Sequence, residues 1–201
     1  MNPVELKQKI KTVKNIHHVV HSMETLATMK IIQVRKQADL RKAYLHELEN
    51  ILFSFLSIVP QKITKNVLLA PTKAKNPLIV AVTSDRGFCG NMNQQVIGST
   101  RTYLRNNKNA SVISIGKKAG NIFLKEDYPV MAMISQSLEK VDLHFSQSLA
   151  SDIVRGFLNH EYDAVYFCYM QFTNLISQKP VIKQVLPIVK NSKENFSLLY
   201  N

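Results

Sequence analysis

Apolar residues recur at helical spacing through the first sixty positions, and neither glycine nor proline interrupts the run between Val4 and Val59. Steps of seven from Leu6 give Leu6, Val13, Val20, Ala27, Val34, Arg41 and Leu48; steps of seven from Ile10 give Ile10, His17, Glu24, Ile31, Ala38, Leu45 and Leu52. The two series alternate by four and three, as in the seam of a coiled coil. Asn2 suits a helix cap, Pro3 the first helical position, and Glu5 sets a carboxylate beside the positive end of the dipole. Pro60 stops the run. At about 1.5 Å per residue the helix reaches roughly 80 Å, whereas the remaining chain suffices for a body roughly 30 Å across. Most of the stripe must therefore find its partner outside an ordinary core. His17, Glu24 and Arg41 interrupt the seam, and Ile16, Val19, Met23, Leu26 and Met29 widen the apolar surface, so the middle turns are expected to meet more than one neighbour.

The pattern then changes. Residues 60–77 hold Pro60, Pro71, Pro77 and four lysines with no acid, a basic linker that turns the chain. Leu78 to Thr83 is a short, continuous apolar run rich in β-branched residues, the signature of a strand buried on both faces. Ser111 to Ile115, Ala164 to Met170 and Val181 to Ile188 are similar, and Met92 to Arg105 and Leu143 to His160 carry helical periodicity between them. Alternating strands and helices predict an α/β domain with a mostly parallel sheet. The expected organisation is a stalk helix over 1–59, a linker over 60–77 and the α/β domain over 78–201.

Composition narrows the class. The 201 residues are 45% hydrophobic, enough for one sizeable core, and no apolar run is long enough to cross a membrane. The amino terminus carries neither a secretory nor a transit pattern, and Cys89 and Cys168 are too few for a disulfide framework, so a reducing, cytoplasmic compartment is expected. The net charge is +12, of which residues 1–76 supply +8 from 13 Lys and Arg against 5 Asp and Glu. Such an excess seeks an acidic partner: nucleic acid, an anionic membrane face or an acidic protein surface. The basic residues are dispersed with few aromatics among them, and no zinc-finger, basic-zipper or RNA-recognition pattern is present, which disfavours nucleic acid.

Candidate chemistry is sparse. The loop Ser84-Asp85-Arg86-Gly87-Phe88-Cys89-Gly90-Asn91 sits where the first strand hands over to a helix, a place where such sheets often bind phosphate. Its glycines are spaced G-x-x-G, however, which fits neither the dinucleotide fingerprint nor the phosphate loop, and Gly116-Lys117-Lys118 lacks the upstream glycine of the latter. A tight structural turn is the plainer expectation. His17, His18 and His21 share helix faces in pairs, but the sequence places no further ligand to complete a metal site. No nucleophile, acid/base pair or cofactor box stands out, and an enzyme in its own right is not expected.

Three segments together resemble the gamma subunit of the rotary F-type ATP synthase, the central-stalk rotor. They are Ile10 to Asn15 followed by Ser22-Met23-Glu24-Thr25-Leu26-Ala27-Thr28-Met29-Lys30; Thr83-Ser84-Asp85-Arg86-Gly87-Phe88-Cys89-Gly90; and Ser177 to Pro187. The similarity runs from about Leu6 to Tyr200. It implies a long amino-terminal coiled-coil helix, a Rossmann-like α/β domain and a second long helix, antiparallel to the first, which in the family follows the segment resembling Leu198-Leu199-Tyr200. With the sequence stopping at Asn201, a truncated or split gamma-type subunit whose second helix is supplied elsewhere is expected. It also implies a non-catalytic rotor that couples ion flow through the membrane ring to ATP synthesis or hydrolysis at the beta subunits. By resemblance, Met23 and Lys30 lie near the acidic lever of a beta subunit, and Arg86, Gly87, Cys89 and Gly90 face the same region. The implied partners are the alpha, beta and epsilon subunits and the c-type ring, at the cytoplasmic face of a bacterial inner membrane, with no nucleic acid and no cofactor or metal. Gly90-Asn91-Met92 departs from the family's usual second glycine and aromatic, and Thr25 and Thr28 are more polar than is usual there. The alternative is a basic helical binder of nucleic acid or an anionic surface with an α/β head; a nucleotide-binding enzyme dependent on Gly87 and Gly90 is a third.

Overall fold

The computed structural model describes residues 2–58, 67–69, 74–135, 143–172 and 177–188, and side chains within these except 38–43, 49, 53 and 56–58. Most of the basic linker, the seam positions Ala38 and Arg41 as side chains, and Leu198 to Tyr200 lie outside the described set. The chain divides into two compact units, Met1–Leu52 and Phe53–Asn201.

Helix α1 runs from Pro3 to Ile58, 56 residues without a break. Its start follows the sequence signals: Val4 N–H donates to Asn2 Oδ1 (3.2 Å), and Asn2 N–H reaches Glu5 Oε2 (3.4 Å), the reciprocal pair of a capping box. Thr12, Ser22, Thr25 and Thr28 donate their hydroxyls to carbonyls four residues back, so these polar residues are satisfied within the helix. Among the described side chains of the apolar stripe, Leu6, Ile10, Val13, Ile16, Val20, Met23, Leu26, Ile31 and Val34 are all exposed and Leu45 and Leu52 half-buried, so packing that normally stabilises a helix in water is missing over residues 6–34.

The second unit holds a five-stranded sheet in the order β3-β2-β1-β4-β5. The strands are β1 (Pro77–Val82), β2 (Ser111–Ile115), β3 (Val130–Ile134), β4 (Ala164–Phe172) and β5 (Gln178–Leu186). β1 pairs in parallel with β2 and β4, β2 in parallel with β3, and β5 closes one edge antiparallel to β4. The helices are α2 (Met92–Asn106), α3 (Lys117–Lys125) and α4 (Leu143–Leu158). The expected α/β class and mostly parallel sheet are thus present, and two elements go beyond the sequence reading, α3 and β3.

The strand pattern follows from burial. Leu78, Ile79, Val80 and Ala81 of β1 are all fully buried, because each face of the central strand is covered. On one face Ile79, Ala81, Val112 and Cys168 pack with Val96, Ile97 and Leu104 of α2 and Ala119 and Phe123 of α3. On the other, Leu78, Val80, Val165 and Leu186 pack with Ile153 and Phe157 of α4 and with Tyr162. Each buried Leu, Ile, Val or Phe contributes about 1.5–3 kcal/mol, so the central strand is the firmest part of the fold. Tyr162 donates its hydroxyl to the Ile153 carbonyl at 2.7 Å, and Gly156 leaves room for that ring, since a Cβ there would stand 2.5 Å from the oxygen.

Candidate functional site

Strand order reverses beside β1, with β2 on one side and β4 on the other, so the loop leaving β1 emerges at the topological switch point of the sheet. In folds of this type that crevice commonly holds a ligand. Here the loop closes on itself. Ser84 N–H donates to Asn93 Oδ1 (3.0 Å), Asn93 Nδ2 donates to Ser84 Oγ (2.8 Å), and Ser84 Oγ donates to the Arg86 carbonyl (2.6 Å). Cys89 Sγ donates to the Gly87 carbonyl (3.3 Å) and lies 3.4 Å from Ser84 Oγ. Met92 N–H, at the start of α2, donates to the Cys89 carbonyl (3.2 Å).

The neighbouring helix end is occupied as well. Lys117 N–H, the first amide of α3, donates to Asp85 Oδ1 at 2.9 Å, and Ala119 N–H donates to Thr83 Oγ1 at 3.1 Å. A phosphate seated at this helix end would need those amides. The Asp85 carboxylate already satisfies the first of them and places negative charge there, so the loop geometry matches the tight structural turn expected from its glycine spacing.

Arg86, Gly87, Cys89 and Gly90 come together in this loop, with Arg86, Gly87 and Gly90 exposed and Cys89 half-buried. Met23 and Lys30 lie seven residues apart on α1, on the same side of the helix and both exposed. Sequence reasoning assigns no role of their own to Phe88, Asp85, Asn93 and Gly116. Phe88 is fully exposed and takes a left-handed backbone with φ of 59°. The sequence carries a signal for it, an aromatic between two glycines in an otherwise polar turn. It carries none for the Asp85 link, because the partner is 32 positions away.

The remaining candidates are apart. His17 and His18 meet edge-on with ring centroids 6.2 Å apart, and His21 Nδ1 stands 3.6 Å from Glu24 Oε2. Among the described residues no group of three or more His, Cys, Asp and Glu is placed to hold a metal. Cys168 is buried in the core with its thiol pushed up by desolvation. No helix among the described residues is long and apolar enough to cross a membrane.

The ATP synthase family model matches residues 2–200. The chain is 31% identical over 199 residues to the ATP synthase gamma chain of Dictyoglomus turgidum, covering 96% of this chain and 69% of that protein. It is 27% identical over 187 residues to the ATP synthase gamma chain of Thermosynechococcus vestitus, covering 91% and 59%. Among solved structures, a chain of the central stalk and c-ring of the Tetrahymena thermophila mitochondrial ATP synthase has the same fold, with a TM-score of 0.52 at 20% identity, covering 76% of this chain and 71% of that one. The alternative of a basic nucleic-acid or anionic-surface binder has no support among these relatives.

Proposed function

Because the chain belongs to the ATP synthase gamma-chain family, we propose that it works by presenting α1 and the loop after β1 to the catalytic subunits of that enzyme. As a gamma chain it is a non-catalytic part of the central-stalk rotor, peripheral to the membrane. The observation that carries the finer reading is the exposed apolar stripe over residues 6–34 of a 56-residue helix. An amphipathic helix of that length gains stability only from packing.

In this reading a second long helix lies antiparallel along the α1 seam, and the basic residues of α1 meet the acidic lever of a beta subunit near Met23 and Lys30. Arg86, Gly87, Cys89 and Gly90 face the same subunit. The stalk helix over 1–59, the linker over 60–77 and the α/β domain over 78–201 then divide the work, the last resting against the epsilon subunit and the c-type ring at the cytoplasmic face of a bacterial inner membrane. Complementary charge sets docking and register more than raw affinity.

Co-purification of the full chain with its cognate alpha and beta subunits tests this. Assembly is expected, with ATP hydrolysis by the assembly exceeding that of alpha and beta alone. Lys30→Gln should slow association at low salt by about two- to five-fold and leave the isolated chain's fold unchanged. A chain that never enters the assembly sinks the reading.

A further inference from the structure

The loop after β1 is not an independent flap. It is tied to the start of α3 by one backbone and two side-chain acceptors: Lys117 N–H donates to Asp85 Oδ1 (2.9 Å), Lys118 N–H to the Ser84 carbonyl (3.3 Å) and Ala119 N–H to Thr83 Oγ1 (3.1 Å). Gly116, with φ of 95°, lets the two backbones meet, since a Cβ there would stand 2.1 Å from the Thr83 carbonyl oxygen. Side chains from the two segments are therefore presented from one rigid platform.

We propose that Arg86, Phe88, Lys117 and Lys118 form a single docking surface for an acidic protein segment, with Lys117-Lys118 as a second arm of the contact and Phe88 as its apolar anchor. The inference rests on the loop being a partner contact, as read above. Charge chooses the partner. Arg86, Lys117 and Lys118 are all exposed, whereas Asp85, the acid of this platform, turns its carboxylate onto the α3 amide. Three cations against that one acid leave the platform net cationic. Phe88 gains nothing from its own fold, since its ring is fully exposed and its backbone holds the left-handed conformation that non-glycine residues disfavour. Aromatic side chains and arginine are enriched among the residues that anchor protein interfaces. A free phosphate or nucleotide is the poorer occupant, because the first α3 amide is already taken.

Association of the full chain with its cognate alpha and beta subunits, followed in low salt and again in about 0.5 M salt, tests the surface. The double variant Lys117→Gln/Lys118→Gln should associate about three- to ten-fold more slowly at low salt, with the difference fading at high salt. Arg86→Gln should behave alike, and Phe88→Ala should speed dissociation about ten-fold. All four side chains are exposed, so circular dichroism should show an unchanged fold. Slowed Arg86→Gln beside an unaffected lysine pair overturns the second arm and leaves the loop contact standing. A slowed lysine pair beside silent Arg86→Gln and Phe88→Ala overturns the single surface. If every variant is silent, or the unaltered chain does not associate, both readings fall.

Discussion

Gly87 and Gly116 are both glycines after a buried strand, and their backbones give them opposite weights. A Cβ added at Gly87 would have no heavy atom within 4 Å, and its φ is not left-handed, whereas a Cβ at Gly116 would meet the Thr83 carbonyl oxygen at 2.1 Å. Gly116→Ala should destabilise the α/β unit by about 2–4 kcal/mol, from steric displacement plus the strained φ. Gly87→Ala should stay within about 0.5 kcal/mol. Denaturant midpoints check both, and equal losses would remove the distinction. In the sequence Gly116 stands out only as an imperfect phosphate-loop glycine, because its steric role depends on the backbone of Thr83, far earlier in the chain. The Ser84 to Asn91 turn is legible from its own punctuation, while Asn93 and Asp85, which hold it in place, act through bonds that composition does not reveal.

Among elements, legibility follows length and burial. α1 is readable from the absence of breakers over its whole span, and β1, β2 and β4 from apolar runs that a buried sheet demands; β5, an edge strand interrupted by Lys183 and Gln184, shows only through Val181, Ile182, Val185 and Leu186. α3 has nine residues with Gly120 in its middle, so Ala119, Ile122 and Phe123 make too short a period to register. β3 reads Val-Met-Ala-Met-Ile, and methionine and alanine do not favour strands over helices. The end of α3 is nonetheless joined to α2 by Arg101, whose Nε donates to Glu126 Oε2 at 2.9 Å. The Arg101 hydrogen bond holds the Glu126 carboxyl below its usual range. With the folded pKa below the unfolded one, this pair's stabilisation is complete above about pH 4.3 and is lost as pH falls through the folded value. Both side chains keep about a third of their exposure, 30% and 35%, so Arg101→Gln should cost no more than about 1 kcal/mol at pH 7. Urea titrations at pH 7 and in acid should show that deficit vanishing in acid; a constant deficit would assign it to packing instead.

At the scale of the whole molecule, the chain joins a firm α/β unit to a helix whose apolar stripe is exposed over residues 6–34. Heated alone, α1 should lose far-UV helical signal before the near-UV signal of Tyr103, Tyr128, Tyr162 and Tyr166 in the α/β unit changes, because local stability tracks buried apolar contact. One coincident transition would show that α1 is stabilised by more than its own backbone. The sequence can show that α1 needs partners, since 56 residues exceed any core it could line, but not which partners, since that depends on surfaces of other chains. α1 also has a mechanical character of its own. Sharp kinks in helices form almost always at proline, at glycine or serine pairs, or where the backbone ladder is interrupted, and between Val4 and Val59 there is no proline or glycine. A torque applied at one end therefore finds no swivel along the way. It spreads as a small elastic twist over every turn, so the helix behaves as a torsion spring whose compliance a single inserted proline would concentrate at one point.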